Sequence, residues 1–225
     1  MISVCMAAYN GERYIRQQIY SITTQLSDSD ELIISDDGSS DGTVGIIQEI
    51  CNKDRRIKVL HHKRDYSLTN IKHSKSFYLA TSNFENALKE AKGDYIFLSD
   101  QDDIWAENKV SKSVEALKNY DLVMTNYAVI DGDGNIVNSR FLSSCPVSTT
   151  SLLVNVIKSK FLGCTMAFSK KALKKSLPFP QKLIGHDLWI GCLNYKNMLY
   201  IEEPLQLYRR HGKNVSTCAE KSTNS

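Results

Sequence analysis

The chain lacks the features that would place it in several common classes. No window approaches the roughly 20 apolar residues that cross a bilayer. The opening MISVCMAAYN has neither a basic segment nor a long apolar stretch, so it does not read as a signal peptide. The six cysteines are widely separated and form no C-x-x-C pair, and four of them sit in apolar runs, where a reduced cysteine behaves as a small core residue. These absences lead us to expect a cytoplasmic protein. A formal net charge of +3 over 225 residues is too small to argue for nucleic acid, and no basic stretch is interleaved with aromatics. G-x-G-x-x-G, the P-loop pattern and G-x-S-x-G are all absent, so a dinucleotide fold, a phosphate-binding loop and a nucleophile elbow have no support. There is no internal repeat, no low-complexity segment and no linker.

What is present is an alternation of short apolar runs with amphipathic segments. Residues 2–7, 31–36, 57–62, 95–100 and 121–130 read as buried strands. Between them, apolar residues recur at helical spacing: Ile15, Ile19 and Ile22; Val44, Ile47 and Cys51, with Asp41 as N-cap; Phe84, Leu88 and Ala91, closed by Gly93; and Val110, Val114 and Leu117. Residues 63–81 are polar and read as irregular. Further on, 164–169 reads as a strand, 170–177 and 188–195 as helices, and 198–211 as a strand or two. Repeated β-α-β units imply an α/β fold, a mostly parallel sheet with helices on both faces.

Ligands of such sheets bind beyond the carboxyl ends of the strands. Three acidic or polar motifs fall there: AAYN after the first strand, SDDGSSDGT after the second and SDQDDIW after the fourth. Asp36 and Asp37 admit two readings, turn formation and acceptance of a ligand N–H. Asp100, Asp102 and Asp103 repel one another unless a cation or solvent neutralises them, and hard cations take carboxylates together with substrate phosphates. Trp105 reads as core or pocket wall. His186–Asp187 follows a proline-bounded loop and opens a helix, so Asp187 is either an N-cap or a site carboxylate. His211, among basic residues, reads by itself as a surface histidine.

Together these residues resemble the family 2 glycosyltransferases of the GT-A fold. The match runs from ISVCMAAYNGERYI through LIISDDGSSDGT and GDYIFLSDQDDIW to GHDLWIG and YRRHGKN, almost the whole chain. SDQDDIW looks most like bacterial enzymes that build rhamnose-containing or other surface polysaccharides. The resemblance implies one GT-A domain over 1–215, with 1–105 as the nucleotide-sugar half and 106–215 as the acceptor side; 216–225 is a polar tail. It implies that Ala7, Ala8 and Tyr9 line the nucleobase and that Asp37 holds the base N–H. Asp100 lies nearer the sugar or ribose, and Gly163 and Cys164 border the donor pocket. By the same resemblance Asp102 would be the metal ligand, His211 would close on the metal or diphosphate, and Asp187 would be the general base.

The implied cofactor is magnesium or manganese, and the implied donor a UDP- or dTDP-sugar. The acceptor would be a glycan or lipid-linked sugar at the inner face of the cell membrane. We therefore expect peripheral membrane association, with the basic residues of 63–75 and 170–175 contributing. One base and one metal suit direct displacement with inversion.

Three departures from the family pattern stand out. The first strand ends Ala-Ala-Tyr-Asn where proline and a small residue are common, the stretch 64–80 is longer than usual, and no Q-x-x-R-W is present. The last favours transfer of a single sugar over polymerisation. Two rivals stay open here: a haloacid-dehalogenase-type phosphatase, which would leave SDDGSSDGT unexplained, and a non-catalytic sugar-nucleotide-binding protein, against which the full set of aspartates argues.

Overall fold

The computed structural model describes residues 1–64, 75–142, 144–158, 160–181, 183 and 185–211. Its first half is the expected alternation. Strands β1 (Ile2–Ala8), β2 (Glu31–Asp36), β3 (Ile57–His61) and β4 (Tyr95–Asp100) are separated by helices α1 (Ile15–Thr23), α2 (Thr43–Cys51) and α3 (Lys75–Glu90). After a short β5 (Ile104–Trp105) come α4 (Lys109–Leu117), β6 (Leu122–Ile130) and β7 (Ile136–Asn138). The remainder is α5 (Leu152–Ile157), β8 (Met166–Ser169), α6 (Lys170–Ser176), α7 (His186–Asn194) and one long β9 (Met198–Arg209). A 3-10 turn, Gly163–Thr165, leads into β8.

Among the described residues all nine strands join one sheet, in the order β3-β2-β1-β4-β8-β6-β9-β5 with β7 on β6. The pairs among β1 to β4 are parallel, and so is β6 with β9. β8 runs antiparallel between β4 and β6, which brings the turn before it to the edge where β4 ends. Register places Ala7 opposite Asp100 and Ala8 opposite Asp36, so the first three motifs meet by construction.

Both faces of the sheet are covered, because successive side chains of a strand point to opposite sides. Val4, Met6, Leu32, Ile34 and Phe97 pack with Ile15, Ile19 and Ile22 of α1, Ile47 of α2 and Val110 of α4. Cys5, Ile33, Ile96 and Leu98 pack with Phe84 and Leu88 of α3, Leu173 of α6 and Ile190 of α7 on the other. Trp105 belongs to the core, its ring 5.4 Å from that of Phe97.

Some local expectations need correction. Residues 75–81 are not irregular but form the first half of α3; Thr81 and Asn83 face inward, so polar residues occupy positions that an apolar pattern would need. Gly93 does not close that helix. Its N–H donates to Ser3 Oγ at 2.8 Å, and a Cβ there would lie 2.6 Å from the Ser3 nitrogen, so glycine is required by close approach of the chains. Asp41 sits one residue outside the cap position of α2, which Gly42 occupies, although its Oδ1 still accepts the Thr43 N–H at 3.0 Å. Gly185, at φ 91°, takes the cap position of α7, so Asp187 is in the first helical turn rather than at the N-cap.

Candidate active site

The first group of site residues is built at the ends of β1 and β2. Asp36 is the turn former of its pair: its carboxylate accepts the N–H groups of Gly38 and Ser39, both at 3.1 Å, and the Ser39 hydroxyl. Asp37 has a different role. It is buried, held in place by its own N–H donating to Ala8 O at 2.9 Å, and its oxygens face two basic groups. His62 Nδ1 lies 2.8 Å from Oδ1, and Arg64 Nε donates to Oδ2 at 2.6 Å. Arg64 also lies across the exposed ring of Tyr9, 3.4 Å from its centroid. Ala8 is buried and Ala7 half-buried beneath this group. From α3, the Asn83 amide donates to Ala8 O at 3.2 Å and Ser35 O at 2.9 Å, tying the two strand ends together.

The acidic side follows β4. Gln101 pairs with the Tyr9 backbone in both directions: its Nε2 donates to Tyr9 O at 2.8 Å, and its Oε1 accepts the Tyr9 N–H at 2.9 Å. Asp102 Oδ2 lies 2.8 Å from His211 Nε2, so these two expected metal-side residues are in contact; the His211 ring rests on Tyr14 at 5.0 Å. Asp103 is buried and committed inward, accepting the Arg209 N–H at 2.8 Å and Gln206 Nε2 at 2.7 Å.

Arg209 is almost fully buried. Its Nε donates to Asp102 O at 2.8 Å, its Nη1 to Asp131 O and Gly132 O, both at 3.2 Å, and its Nη2 to Gln17 Oε1 at 2.8 Å. Lys109, buried in α4, donates to Cys164 O at 2.7 Å and to the Gln206 side chain. Neither cation was singled out from sequence. The available signal was their company: Lys109 shares a helical stripe with Ser113 and Leu117, all buried.

The 3-10 turn before β8 and the start of α7 complete the site. A Cβ on Gly163 would sit 3.0 Å from His186 Nε2 and 3.7 Å from Asp187 Cβ, so a side chain there would push α7 away. His186 is packed on Phe84 at 4.2 Å, and its buried Nε2 has no hydrogen-bond partner among the described residues; burial lowers its pKa. The Cys164 thiol is buried against Asp100 and Asp103.

Electrostatics identify this as a site short of positive charge. Burial, and then the charges of Asp103, Asp102 and Asp187, push the Asp100 carboxyl well above its ordinary range. Burial and the Asp102 charge push Asp103 up to about 7. Burial and the same carboxylates hold the Cys164 thiol far above its usual range, protonated, while burial lowers Lys109 to about 8.

A divalent cation fits the donor chemistry, because crowded carboxylates of this kind are stabilised by one. Ligand atoms of Asp100, Asp103 and Cys164 lie within 4.8 Å of one another. The thiol is protonated and both Asp103 oxygens are engaged, so within that group Asp100 is the oxygen donor suited to a hard cation, with Asp102 beside it.

Every site residue inferred from sequence lies at one edge of the sheet, in two adjoining groups joined by Gln101. The basic stretch 63–75 is described only at Lys63, Arg64 and Lys75; the rest, and the tail 216–225, lie outside the described residues.

The chain is similar to known proteins in sequence and in fold. The family model for glycosyl transferase family 2 matches residues 3–177. An uncharacterised glycosyltransferase of Haemophilus influenzae is 38% identical over 227 residues, covering 99% of this chain and 84% of its own. The Escherichia coli UDP-Glc:alpha-D-GlcNAc-diphosphoundecaprenol beta-1,3-glucosyltransferase WfgD is 30% identical over 202 residues, covering 88% of this chain and 72% of its own. Staphylococcus aureus TarS (residues 1–349), solved in complex with UDP-GlcNAc, superposes with a TM-score of 0.71 at 18% identity, over 97% of this chain. This chain spans 61% of that structure. Its likeness is one of fold alone; the family match and the curated relatives remove the phosphatase alternative. The chain belongs to glycosyl transferase family 2 and is a glycosyltransferase of the GT-A fold.

Proposed function

We propose that the enzyme moves one sugar from a nucleoside-diphosphate sugar, UDP- or dTDP-linked, to a hydroxyl of a glycan or lipid-linked acceptor during bacterial surface polysaccharide synthesis, with inversion. The observation that carries this is the convergence of Asp37, the Asp100–Asp102 pair and Asp187 on one sheet edge. The acceptor class is supported by WfgD, whose name gives a diphosphoundecaprenol-linked sugar as its acceptor.

In this reading 1–215 act as one domain, with 1–105 holding the donor and 106–215 the acceptor. Ala7, Ala8 and Tyr9 form the floor under the base, with Asp37, His62 and Arg64 at its edge. Asp100 and Asp102 hold magnesium or manganese with the diphosphate, and His211 closes on that group. When bound, the cation stabilises charge developing on the departing nucleoside diphosphate. Gly163 and Cys164 leave room for the donor sugar. Asp187, at the start of α7, takes the proton of the attacking hydroxyl as that oxygen bonds to the anomeric carbon and the diphosphate leaves from the opposite face. The acceptor class implies peripheral association with the inner face of the membrane.

The test is transfer from UDP- and dTDP-sugars to a lipid-linked acceptor, with manganese, with magnesium and after exhaustive chelation. We expect product of inverted anomeric configuration only with metal. Full transfer after chelation, or a retained configuration, overturns the reading.

A further inference from the structure

Helix α5 is built inside out. Its one buried side chain is polar: Asn155, whose Oδ1 accepts the Ser148 N–H at 2.8 Å and whose Nδ2 donates to Ser148 O at 2.7 Å. Its apolar residues face outward instead, with Leu152, Leu153, Val154, Val156 and Ile157 between 42% and 70% exposed. A surface helix of a soluble domain turns its apolar stripe to the core, so five exposed aliphatic side chains on less than two turns need a cover. Leu152 and Val156, one turn apart, form one wall of an apolar groove of about 310 Å³, and Leu188, Trp189, Cys192 and Leu193 of α7 form the other. Leu153 and Ile157, also one turn apart, are the most exposed of the set.

The charge around this face says what the cover is. Residues 141–186 contain seven lysines (158, 160, 170, 171, 174, 175 and 182) and no aspartate or glutamate, a charge of +7 in a chain whose total is +3. Lys158 and Lys160 follow α5 directly and are exposed. Lys174 and Lys175 are exposed on α6, which packs on α7, and Lys175 reaches the Leu193 carbonyl at the rim of the groove. An apolar ridge with exposed lysines around it matches a surface that is anionic outside and apolar beneath. That describes a bilayer containing acidic phospholipid, into whose headgroup boundary such helices insert.

We propose that α5 and the α5/α7 groove dock the enzyme on an anionic bilayer, with Leu153 and Ile157 inserted and the lysines of 158–175 against the headgroups. Gly185 and Leu188 line the groove and flank Asp187, so docking sets the base beside the membrane surface. The lipid-linked acceptor of the proposed function supplies the purpose of this surface and is otherwise independent of it.

The experiment is sedimentation of the full chain with vesicles of phosphatidylcholine alone or mixed with phosphatidylglycerol, without donor or acceptor. We expect binding to the mixed vesicles, little to the neutral ones, and loss of binding at high salt. Leu153→Asp/Ile157→Asp should lower the partition constant at least about tenfold, with melting temperature and nucleotide affinity unchanged, since both side chains already face solvent. Lys158→Gln/Lys160→Gln should lower it about tenfold on mixed vesicles only.

Equal binding of the aspartate variant and the parent, or no binding by the parent, overturns the proposal. So does a parent dimer that the aspartate variant dissociates, because a second copy would then be the cover. Transfer to a detergent-dispersed acceptor is measured separately, so failure to dock and failure of the acceptor assignment give different results.

Discussion

Arg209→Met tests whether the acidic loop is held from below. The guanidinium is almost fully buried and donates to three backbone carbonyls, those of Asp102, Asp131 and Gly132, and to the Gln17 amide oxygen. Methionine keeps much of the aliphatic stem but supplies no donor, so four acceptors, partly buried or exposed, lose a charged partner. Hydrogen bonds to a charged group are worth about 1.5–3 kcal/mol each, so losing this partly buried set costs about 3–5 kcal/mol, a large share of the roughly 5–15 kcal/mol that holds a domain folded. At this chain length about 2–4 °C of melting temperature corresponds to each kcal/mol, so we expect a fall of about 6–20 °C.

Arg140→Met is the control, because its ion pair with Glu202 is exposed on both sides and such pairs contribute about 0–1 kcal/mol. Arg209→Met should also weaken manganese-dependent nucleotide binding about 10- to 100-fold, as loss of groups that orient metal ligands does, since the Asp102 backbone loses its anchor. The assay is thermal unfolding by circular dichroism beside titration calorimetry of the nucleotide. If Arg209→Met melts like Arg140→Met, or melts lower with undiminished metal-dependent binding, the argument fails.

Asp187→Asn should keep the fold and the nucleotide affinity while transfer falls by roughly 100-fold or more; if calorimetry shows nucleotide binding lost as well, Asp187 belongs to the donor site. Asp37→Asn should do the reverse, weakening nucleotide binding because His62 and Arg64 lose the charge they face, with the base untouched. In chelator, stability should fall as pH rises from about 4 to about 7. Asp103 has an ordinary value of 3.8 and is pushed up to about 7, so the folded state holds a proton there that the unfolded chain has released. Melting curves should show this slope, manganese at pH 7 should raise the melting temperature, and Asp103→Asn should flatten the slope; a rise of stability across that window would contradict it.

The first half was legible because its signals are local. Short apolar runs ending in acids or small polar residues predict buried strands with a site at their ends, and Ile2–Ala8, Glu31–Asp36 and Tyr95–Asp100 follow that pattern. The second half is ordered by contacts distant in sequence. β8 joins the sheet antiparallel between two strands that are themselves parallel, which no periodicity records. α5 has too few residues for a period and turns its apolar side outward. A lysine in an amphipathic helix and an arginine in a basic tripeptide read as surface residues. Lys109 is accommodated inside by the Cys164 carbonyl and the Gln206 side chain, and the Arg209 guanidinium by the carbonyls of Asp102, Asp131 and Gly132 and by Gln17, partners distant in sequence from the cation each one holds.

The same reasoning changes how SDQDD divides its labour. The spacing by itself makes the three aspartates equivalent members of an acidic cluster, yet the structure gives each neighbour a separate task. Asp103 points into the protein and anchors β9 through Arg209 and Gln206. Asp102 meets His211, the residue two places beyond the same anchor, so the strand that Asp103 holds also sets the histidine that faces Asp102. Gln101 turns the other way and pairs with both backbone groups of Tyr9. A glutamate there could accept the Tyr9 N–H but could not donate to its carbonyl, and it would add a further charge beside Asp100. The amide is therefore the side chain that can join the segment after β1 to the acidic loop after β4 without adding charge. Through it, the ends of β1 and β4 are tied together beyond their shared ladder.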